Sequence, residues 1–180
     1  MAQTVTMHGR ELELAGSRPG VGQAAPDFKA VDTELNEVVF SKLPPKIYVL
    51  SCVPSLDTAV CNKETRRFSQ EAQRLGEGVE IITISMDLPF AQARWRDESG
   101  VRNIRLLSDH REASFATAYG TLIKPLRLLS RTVFVLDEAR TIRLIEDCRE
   151  ITNEPDYDRV LDAIAQILGQ SRSGSQRRAG

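Results

Sequence analysis

Residues 47–61 read IYVLSCVPSLDTAVC, a near-continuous apolar run followed by a turn that ends in cysteine. Runs like that of residues 47–53 are typical of a central strand covered on both faces of a sheet. The next segment has apolar residues at helical spacing, with arginine and glutamate between them: Val60, Phe68, Ala72 and Leu75. Residues 79–85 are again apolar and β-branched. This order predicts a parallel strand–helix–strand unit.

Shorter patterns on either side of this unit predict the remaining elements. Residues 4–7 and 11–14 read as an N-terminal β-hairpin, and residues 28–31 and 38–40 as a second strand pair. Further predicted strands cover residues 106–108, 132–136 and 141–146, and further predicted helices cover residues 89–97, 112–119 and the amphipathic stretch after Pro155. We therefore predict an α/β fold in which helices pack on a mixed sheet.

The composition fits one domain. The chain has 180 residues, 41% of them hydrophobic, which is enough for a core that needs no disulfides and no structural metal. We place this domain at residues 1–168. Residues 169–180 are rich in serine, glycine and arginine, and we expect a disordered basic tail because such a segment cannot bury a core. Its arginines could contact an acidic partner, although we favour a solvated tail.

Charge and cysteine usage exclude several classes of function. A net charge of −1 gives no basic field for nucleic acid or an anionic membrane. The first 20 residues contain no continuous apolar region, and no run approaches the length of a membrane span, so we expect neither a signal peptide nor a membrane segment. Three cysteines and two histidines show no zinc-site spacing, so we assign no metal and no cofactor. We predict a cytoplasmic protein.

Cys61 falls where the predicted strand passes through a loop into a helix, with Asp57 or Thr58 as the helix cap. The helix N-terminus favours a thiolate there. A free cysteine with a pKa near 8.5 is about 3% thiolate at pH 7, and lowering that pKa to about 6 takes about 3.4 kcal/mol. A helix terminus supplies up to about 2 kcal/mol, so a second positive group is needed. Arg131, at the start of a buried strand, is the candidate.

Several separate stretches resemble the peroxiredoxins. Pro54, Thr58 and Cys61 reproduce the Pro-x-x-x-Thr-x-x-Cys pattern of that superfamily, and the fuller sequence of residues 54–61 is similar to its bacterial thiol peroxidase branch. Residues 87–94, 150–157 and 130–133 resemble other parts of the same branch, as does the N-terminal hairpin. The resemblance extends from about residue 4 to residue 168, with its motifs in the right order.

The resemblance implies a thioredoxin-like fold with an N-terminal β-hairpin, a homodimer, and reduction of hydroperoxides. Cys61 would attack the peroxide and become a sulfenic acid. Thr58 would hydrogen-bond the thiolate and the peroxide, and Arg131 would stabilise the thiolate and the departing oxygen. Pro54 would shield the sulfenic acid from water. We expect Trp95 and Phe90, further along the chain, to serve packing.

One residue departs from that branch. Its resolving cysteine usually follows the motif that reads PFAQARW at residues 89–95 here, and the next residue in this chain is Arg96. Cys148 is a candidate relocated resolver, and Cys52 a second, although both are also ordinary packing residues. We favour a one-cysteine cycle in which an external thiol resolves Cys61, either a low-molecular-weight thiol or a thioredoxin- or glutaredoxin-like protein. The alternative is a peroxide sensor or redox relay that passes its oxidation to a partner protein.

Overall fold

This computed structural model describes the backbone of residues 3–178 and the side chains of residues 3–170. The described residues form eleven strands, four α-helices and one short 3-10 helix (Phe40–Lys42). The strands are β1 (Thr4–Met7), β2 (Arg10–Ala15), β3 (Lys29–Val31), β4 (Glu37–Val39), β5 (Ile47–Cys52), β6 (Val79–Ser85), β7 (Arg105–Ser108), β8 (Leu122–Ile123), β9 (Leu128–Leu129), β10 (Thr132–Leu136) and β11 (Ile142–Asp147). The helices are α1 (Ala59–Leu75), α2 (Pro89–Ser99), α3 (Ser114–Ala118) and α4 (Tyr157–Arg178).

Strand β5 lies inside a seven-stranded mixed sheet of order β11-β10-β5-β6-β7-β3-β4. It pairs in parallel with β6 and antiparallel with β10, and all six of its residues are buried. Alternate side chains of a strand point to opposite faces of the sheet. Ile47 and Val49 accordingly join the core beneath α1, α2 and α4, whereas Tyr48, Leu50 and Cys52 join an aromatic-rich core on the other face.

Helix α1 connects the parallel strands β5 and β6 and packs on one face of the sheet, as the strand–helix–strand pattern predicts. Its buried face includes Cys61 and Phe68, and the Phe68 ring contacts the Tyr157 ring of α4 with centroids 5.4 Å apart. The helix ends at Gly76, whose φ of 78° is a conformation that glycine adopts without steric cost. Cys61 is therefore held at the carboxyl-terminal edge of the central strands.

Each strand and helix that the sequence patterns predict is present, with ends that shift by one or two residues in most cases. The strands β8 and β9 are absent from the prediction because two-residue strands carry no readable alternation. They extend the predicted N-terminal hairpin into a second sheet of order β1-β2-β8-β9. This small sheet buries its own cluster of apolar residues: Val5, Leu12, Leu14, Ile123 and Ile151.

The last helix passes the boundary that the sequence suggests at residue 168, since α4 extends to Arg178. The side chains of residues 171–180 lie outside the described residues, and the disorder expected there stays a prediction. Among the residues that the structure describes, no helix has the length and apolar character needed to cross a membrane.

Glu150 fastens the tip of the β1–β2 hairpin to the segment after β11. Its carboxylate accepts hydrogen bonds from the backbone N–H groups of His8 and Gly9, both at 3.1 Å, and from the hydroxyls of Thr6 and Thr152. The Gly9 N–H bond is the largest of the effects that lower the pKa of Glu150 to about 2, from an ordinary value of 4.5. The bonds favour the charged form, so the stability they contribute is present above pH 4.5 and is lost as the pH falls towards 2.

We expect the hairpin tip to detach in acid between these two pH values, before the main sheet unfolds. Amide hydrogen exchange at His8 and Gly9, compared with exchange in β5, measures this detachment. In Glu150→Gln the tip should exchange faster at neutral pH, with little further change in acid. An unaltered pH dependence in that variant would assign the acid sensitivity to other groups.

Candidate active site

Cys61 is the third residue of helix α1, and Thr58 is its N-cap. The backbone N–H of Cys61 donates to the Thr58 hydroxyl oxygen at 3.4 Å, and that hydroxyl donates to the carbonyl of Ser55 at 3.0 Å. Of the two cap residues that the sequence allowed, Thr58 takes the position, whereas the Asp57 side chain pairs with Arg94. The cap fixes the first turn of the helix and thereby the position of the Cys61 side chain.

The Arg131 guanidinium reaches Cys61 from the sheet. Arg131 lies immediately before β10, the strand that pairs with β5, and its Nη2 is 3.3 Å from the Cys61 Sγ. Cys61 is 0% exposed and Arg131 is 1% exposed, so this contact is shielded from bulk water. The structure therefore brings together the cysteine and the arginine that the sequence proposed as partners, although 70 positions separate them in the chain.

Glu64 holds the other side of the guanidinium. Its carboxylate pairs with Arg131 Nη1 and accepts a hydrogen bond from the Ser51 hydroxyl at 2.8 Å, while Arg131 Nε donates to the carbonyl of Ile151 at 2.9 Å. Burial acts to lower the pKa of Arg131, but the adjacent Glu64 carboxylate and Cys61 thiol outweigh burial and raise it. The guanidinium thus stays charged and is fixed by three neighbours, one of which is the Cys61 sulfur.

Three physical effects act on the charge of the Cys61 sulfur. The N-terminus of α1 and the Arg131 guanidinium both favour a thiolate, because each presents positive charge to the sulfur. Burial opposes them, since a charge is less stable away from water. A cysteine sulfur enclosed beside a fixed cation is placed to react as a nucleophile with a small polar substrate.

Pro54 is buried at the start of the loop that links β5 to α1, four residues before Thr58. Pro54, Thr58 and Cys61 thus all lie at the edge of the sheet where β5 ends. Within the described chain, no group of three histidine, cysteine, aspartate or glutamate side chains is arranged to hold a metal ion.

The two other cysteines differ in their relation to Cys61. Cys52 belongs to the aromatic-rich core on the opposite face of the sheet, where its thiol donates to the carbonyls of Ser130 and Thr132. Cys148 lies across from Arg131 at the end of β11, with its N–H donating to the Arg131 carbonyl at 3.1 Å. Burial raises the pKa of both thiols to about 12. Neither is therefore ionised at neutral pH, and the sheet separates Cys52 from Cys61.

Arg96 occupies the position at which the resembling branch carries its resolving thiol. Its guanidinium donates to the Thr33 hydroxyl at 2.6 Å and to the Glu34 carboxylate at 2.9 Å, so it ties α2 to the turn between β3 and β4. Its neighbour Trp95 is 6% exposed, as expected of a packing residue, and its Nε1 donates to Asn62 beside Cys61. Phe90 contradicts the packing expectation, because its side chain is 66% exposed.

Sequence reasoning missed Glu64. A signal was available, because Glu64 is three residues after Cys61 and four before Phe68, on the face of α1 that packs against the sheet. A carboxylate at such a position needs a buried cation or hydrogen-bond donors. That requirement would have pointed to a partner such as Arg131.

Comparisons with known proteins agree with this site. Residues 21–145 match the AhpC/TSA family. The chain is 49% identical to the thiol peroxidase of Oceanobacillus iheyensis over 87% of this chain and 95% of that protein, and 45% identical to the thiol peroxidase of Bacillus subtilis over 91% and 98%. The crystal structure of a peroxiredoxin-like protein from Aquifex aeolicus superimposes with a TM-score of 0.86 at 35% identity, covering 93% of this chain and 98% of that one. The chain therefore belongs to the AhpC/TSA family and, within it, is a thiol-dependent peroxidase of the peroxiredoxin type.

Proposed function

We propose that Cys61 is the peroxidatic residue and that the chain reduces hydrogen peroxide and organic hydroperoxides. The observation that carries this proposal is the 3.3 Å contact between Cys61 Sγ and Arg131 Nη2 at the N-terminus of a helix. The thiolate attacks the terminal peroxide oxygen, the O–O bond breaks, and the departing oxygen leaves as hydroxide or alkoxide and takes up a proton. The sulfur becomes a sulfenic acid.

The remaining site residues act on this step. Arg131 stabilises the thiolate and then the negative charge that develops on the departing oxygen. Thr58 orients the peroxide with its hydroxyl, exchanging its bond to Ser55 for one to the substrate. Pro54 excludes water from the sulfenic acid. Glu64 keeps the guanidinium in place by binding its far side.

Recycling follows a one-cysteine route in this proposal. An external thiol attacks the Cys61 sulfenic acid, forming a mixed disulfide and water, and a second thiol releases the Cys61 thiol and a disulfide product. Support comes from Arg96 at the usual resolver position, from Cys52 on the opposite face of the sheet, and from the pKa of about 12 at Cys148. The reductant is a low-molecular-weight thiol or a thioredoxin- or glutaredoxin-like protein, and we propose a cytoplasmic homodimer.

The double variant Cys52→Ser/Cys148→Ser tests the recycling route. We expect it to retain wild-type turnover with an external thiol, because neither side chain takes part. Mass spectrometry after one equivalent of peroxide should find one added oxygen per chain in both proteins. A wild-type mass lower by two hydrogens, absent from the Cys148→Ser single variant, would instead identify a Cys61–Cys148 disulfide and an intramolecular route.

A peroxide sensor or relay is the second candidate, favoured by the enclosure of Cys61 and the arginine at position 96. A sulfenic acid without a nearby thiol persists, which gives time for transfer to a partner protein. Steady turnover with small thiols would support the enzyme. Stoichiometric oxidation followed by a mixed disulfide with one protein would support the relay.

A further inference from the structure

The Asp87 carboxylate binds the loop that precedes Cys61. Asp87 is the second residue after β6, and its Oδ1 accepts a hydrogen bond from the Ser55 hydroxyl at 2.6 Å. Its Oδ2 accepts from the backbone N–H of Leu56 at 2.8 Å and from the Ser85 hydroxyl at 2.7 Å. Two of these three bonds fix consecutive residues of the active-site loop, one through a side chain and one through the backbone.

The clamped pair lies between two residues of the proposed site. Ser55 follows Pro54 directly, and Leu56 is two residues before Thr58. The Ser55 carbonyl also accepts the Thr58 hydroxyl at 3.0 Å, so the Asp87 bonds continue through Ser55 to the helix cap. Asp87 therefore determines where the backbone of this loop lies, although it contacts neither Cys61 nor Arg131 in the bonds described.

Helix α2, which begins just after Asp87, touches the same region at two further points. Arg94 pairs with Asp57 at 3.3 Å, and Trp95 donates to Asn62 at 3.1 Å. The Arg94–Asp57 pair is more than half exposed on both sides, and such pairs contribute little. Hydrogen bonds to a carboxylate are shorter and stronger than hydrogen bonds between neutral groups. Compared with the Arg94 and Trp95 contacts, the bonds to Asp87 therefore hold the loop more strongly.

We propose that Asp87 is a positioning residue for the reaction of Cys61 with peroxide. It holds the Ser55–Leu56 backbone so that Pro54 and the Thr58 hydroxyl stand correctly about the sulfur and the incoming substrate. This assignment rests on the proposed function of Cys61. A positioning role differs from a purely structural role in one measurable way. Loosening the loop should slow the oxidation of Cys61 by peroxide, which needs the organised pocket, and should not slow its alkylation, which needs only an accessible thiolate.

The test compares Asp87→Ala and Ser55→Ala with Ser85→Ala. The Ser85 variant is the control: it removes the bond from Ser85 to Asp87 Oδ2, together with the bonds that the Asp87 N–H and Gln92 donate to the Ser85 hydroxyl, and it leaves the bonds from Ser55 and Leu56 to Asp87 in place. Two rate constants are measured for Cys61 in each folded protein, one for oxidation by hydrogen peroxide and one for alkylation by iodoacetamide. Circular dichroism and urea unfolding verify that each variant is folded. If Asp87→Ala does not fold, the comparison is made with Ser55→Ala instead.

We expect oxidation in Asp87→Ala to slow by about 10–100-fold, the size of effect that small misplacements of reacting groups produce. Alkylation should stay the same or become faster, since a loose loop exposes the sulfur. Ser55→Ala should show the same split to a smaller degree, Asp87→Asn should recover part of the oxidation rate, and Ser85→Ala should match the wild type in both reactions.

Equal oxidation rates in Asp87→Ala and the wild type would overturn the assignment. So would a parallel fall of oxidation and alkylation, because it indicates general destabilisation. A split of the same size in Ser85→Ala would also overturn it, because that variant keeps both bonds from the loop to Asp87 and the effect would not depend on them. A wild-type oxidation rate no faster than that of a free thiol would overturn the proposed function itself, and this assignment with it. The oxidation rate of the wild type thus distinguishes a failure of the proposed function from a failure of the Asp87 assignment alone.

Discussion

Cys61→Ser is expected to abolish the fast oxidation of the protein by peroxide, because a serine hydroxyl in the same place does not ionise at neutral pH and there is no sulfur for the peroxide to oxidise. In the wild type, the Cys61 sulfur lies at the helix N-terminus and contacts the Arg131 guanidinium. Stopped-flow fluorescence measures the reaction, since Trp95 bonds to Asn62, the residue next to Cys61, and is the only tryptophan in the chain. One sulfenic acid per chain should be trapped in the wild type and none in the variant.

Cys52→Ser and Cys148→Ser are the matched controls for this experiment. Both remove a buried thiol whose pKa is raised to about 12, so both should keep the fast fluorescence phase. A fast phase that survives in Cys61→Ser and disappears in Cys148→Ser would move the peroxidatic assignment to the end of β11. A wild-type rate equal to that of free cysteine would remove the assignment from the chain altogether.

The sequence predicted the placement of Cys61 well, because the features that place it are local. The apolar run of β5, the capping residue Thr58 and the amphipathic face of α1 lie within about thirty consecutive residues. Patterns of this kind are readable without tertiary information. The hairpin β8–β9 was not predicted, since its strands have two residues each and are stabilised by pairing with the distant β2.

The partners of Cys61 were less accessible to sequence reasoning. Arg131 was proposed because the thiolate needed a second cation, and its proximity depends on the register in which Thr132 of β10 lies opposite Cys52 of β5. A shift of that register by one residue would turn Arg131 to the other face of the sheet. Glu64 and Asp87 were missed, since each acts through contacts between separate elements: Glu64 with Arg131, and Asp87 with the active-site loop.

The second large effect concerns Arg131. Arg131→Lys is expected to slow the oxidation of Cys61 by about 100–1,000-fold, the loss typical of removing one preorganised electrostatic group. A lysine keeps the positive charge, but its single ammonium cannot reproduce the planar set of bonds that Arg131 makes to Glu64, Ile151 and Cys61. The rate of oxidation by hydrogen peroxide under pseudo-first-order conditions measures this effect. A lysine variant with the wild-type rate would show that charge alone is sufficient.

Removing the charge entirely requires a paired substitution. Arg131→Met leaves the Glu64 carboxylate buried without its cation, which costs about 3–5 kcal/mol of stability and can prevent folding. Arg131→Met/Glu64→Gln removes both charges, so urea unfolding should show much of that stability restored. Oxidation should nevertheless remain slow in the double variant, because the sulfur still lacks a cation beside it. If the oxidation rate recovers together with the stability, Arg131 serves the fold and not the reaction. If the protein folds stably but Cys61 is still oxidised slowly, Arg131 acts directly on the reacting sulfur and oxygen atoms.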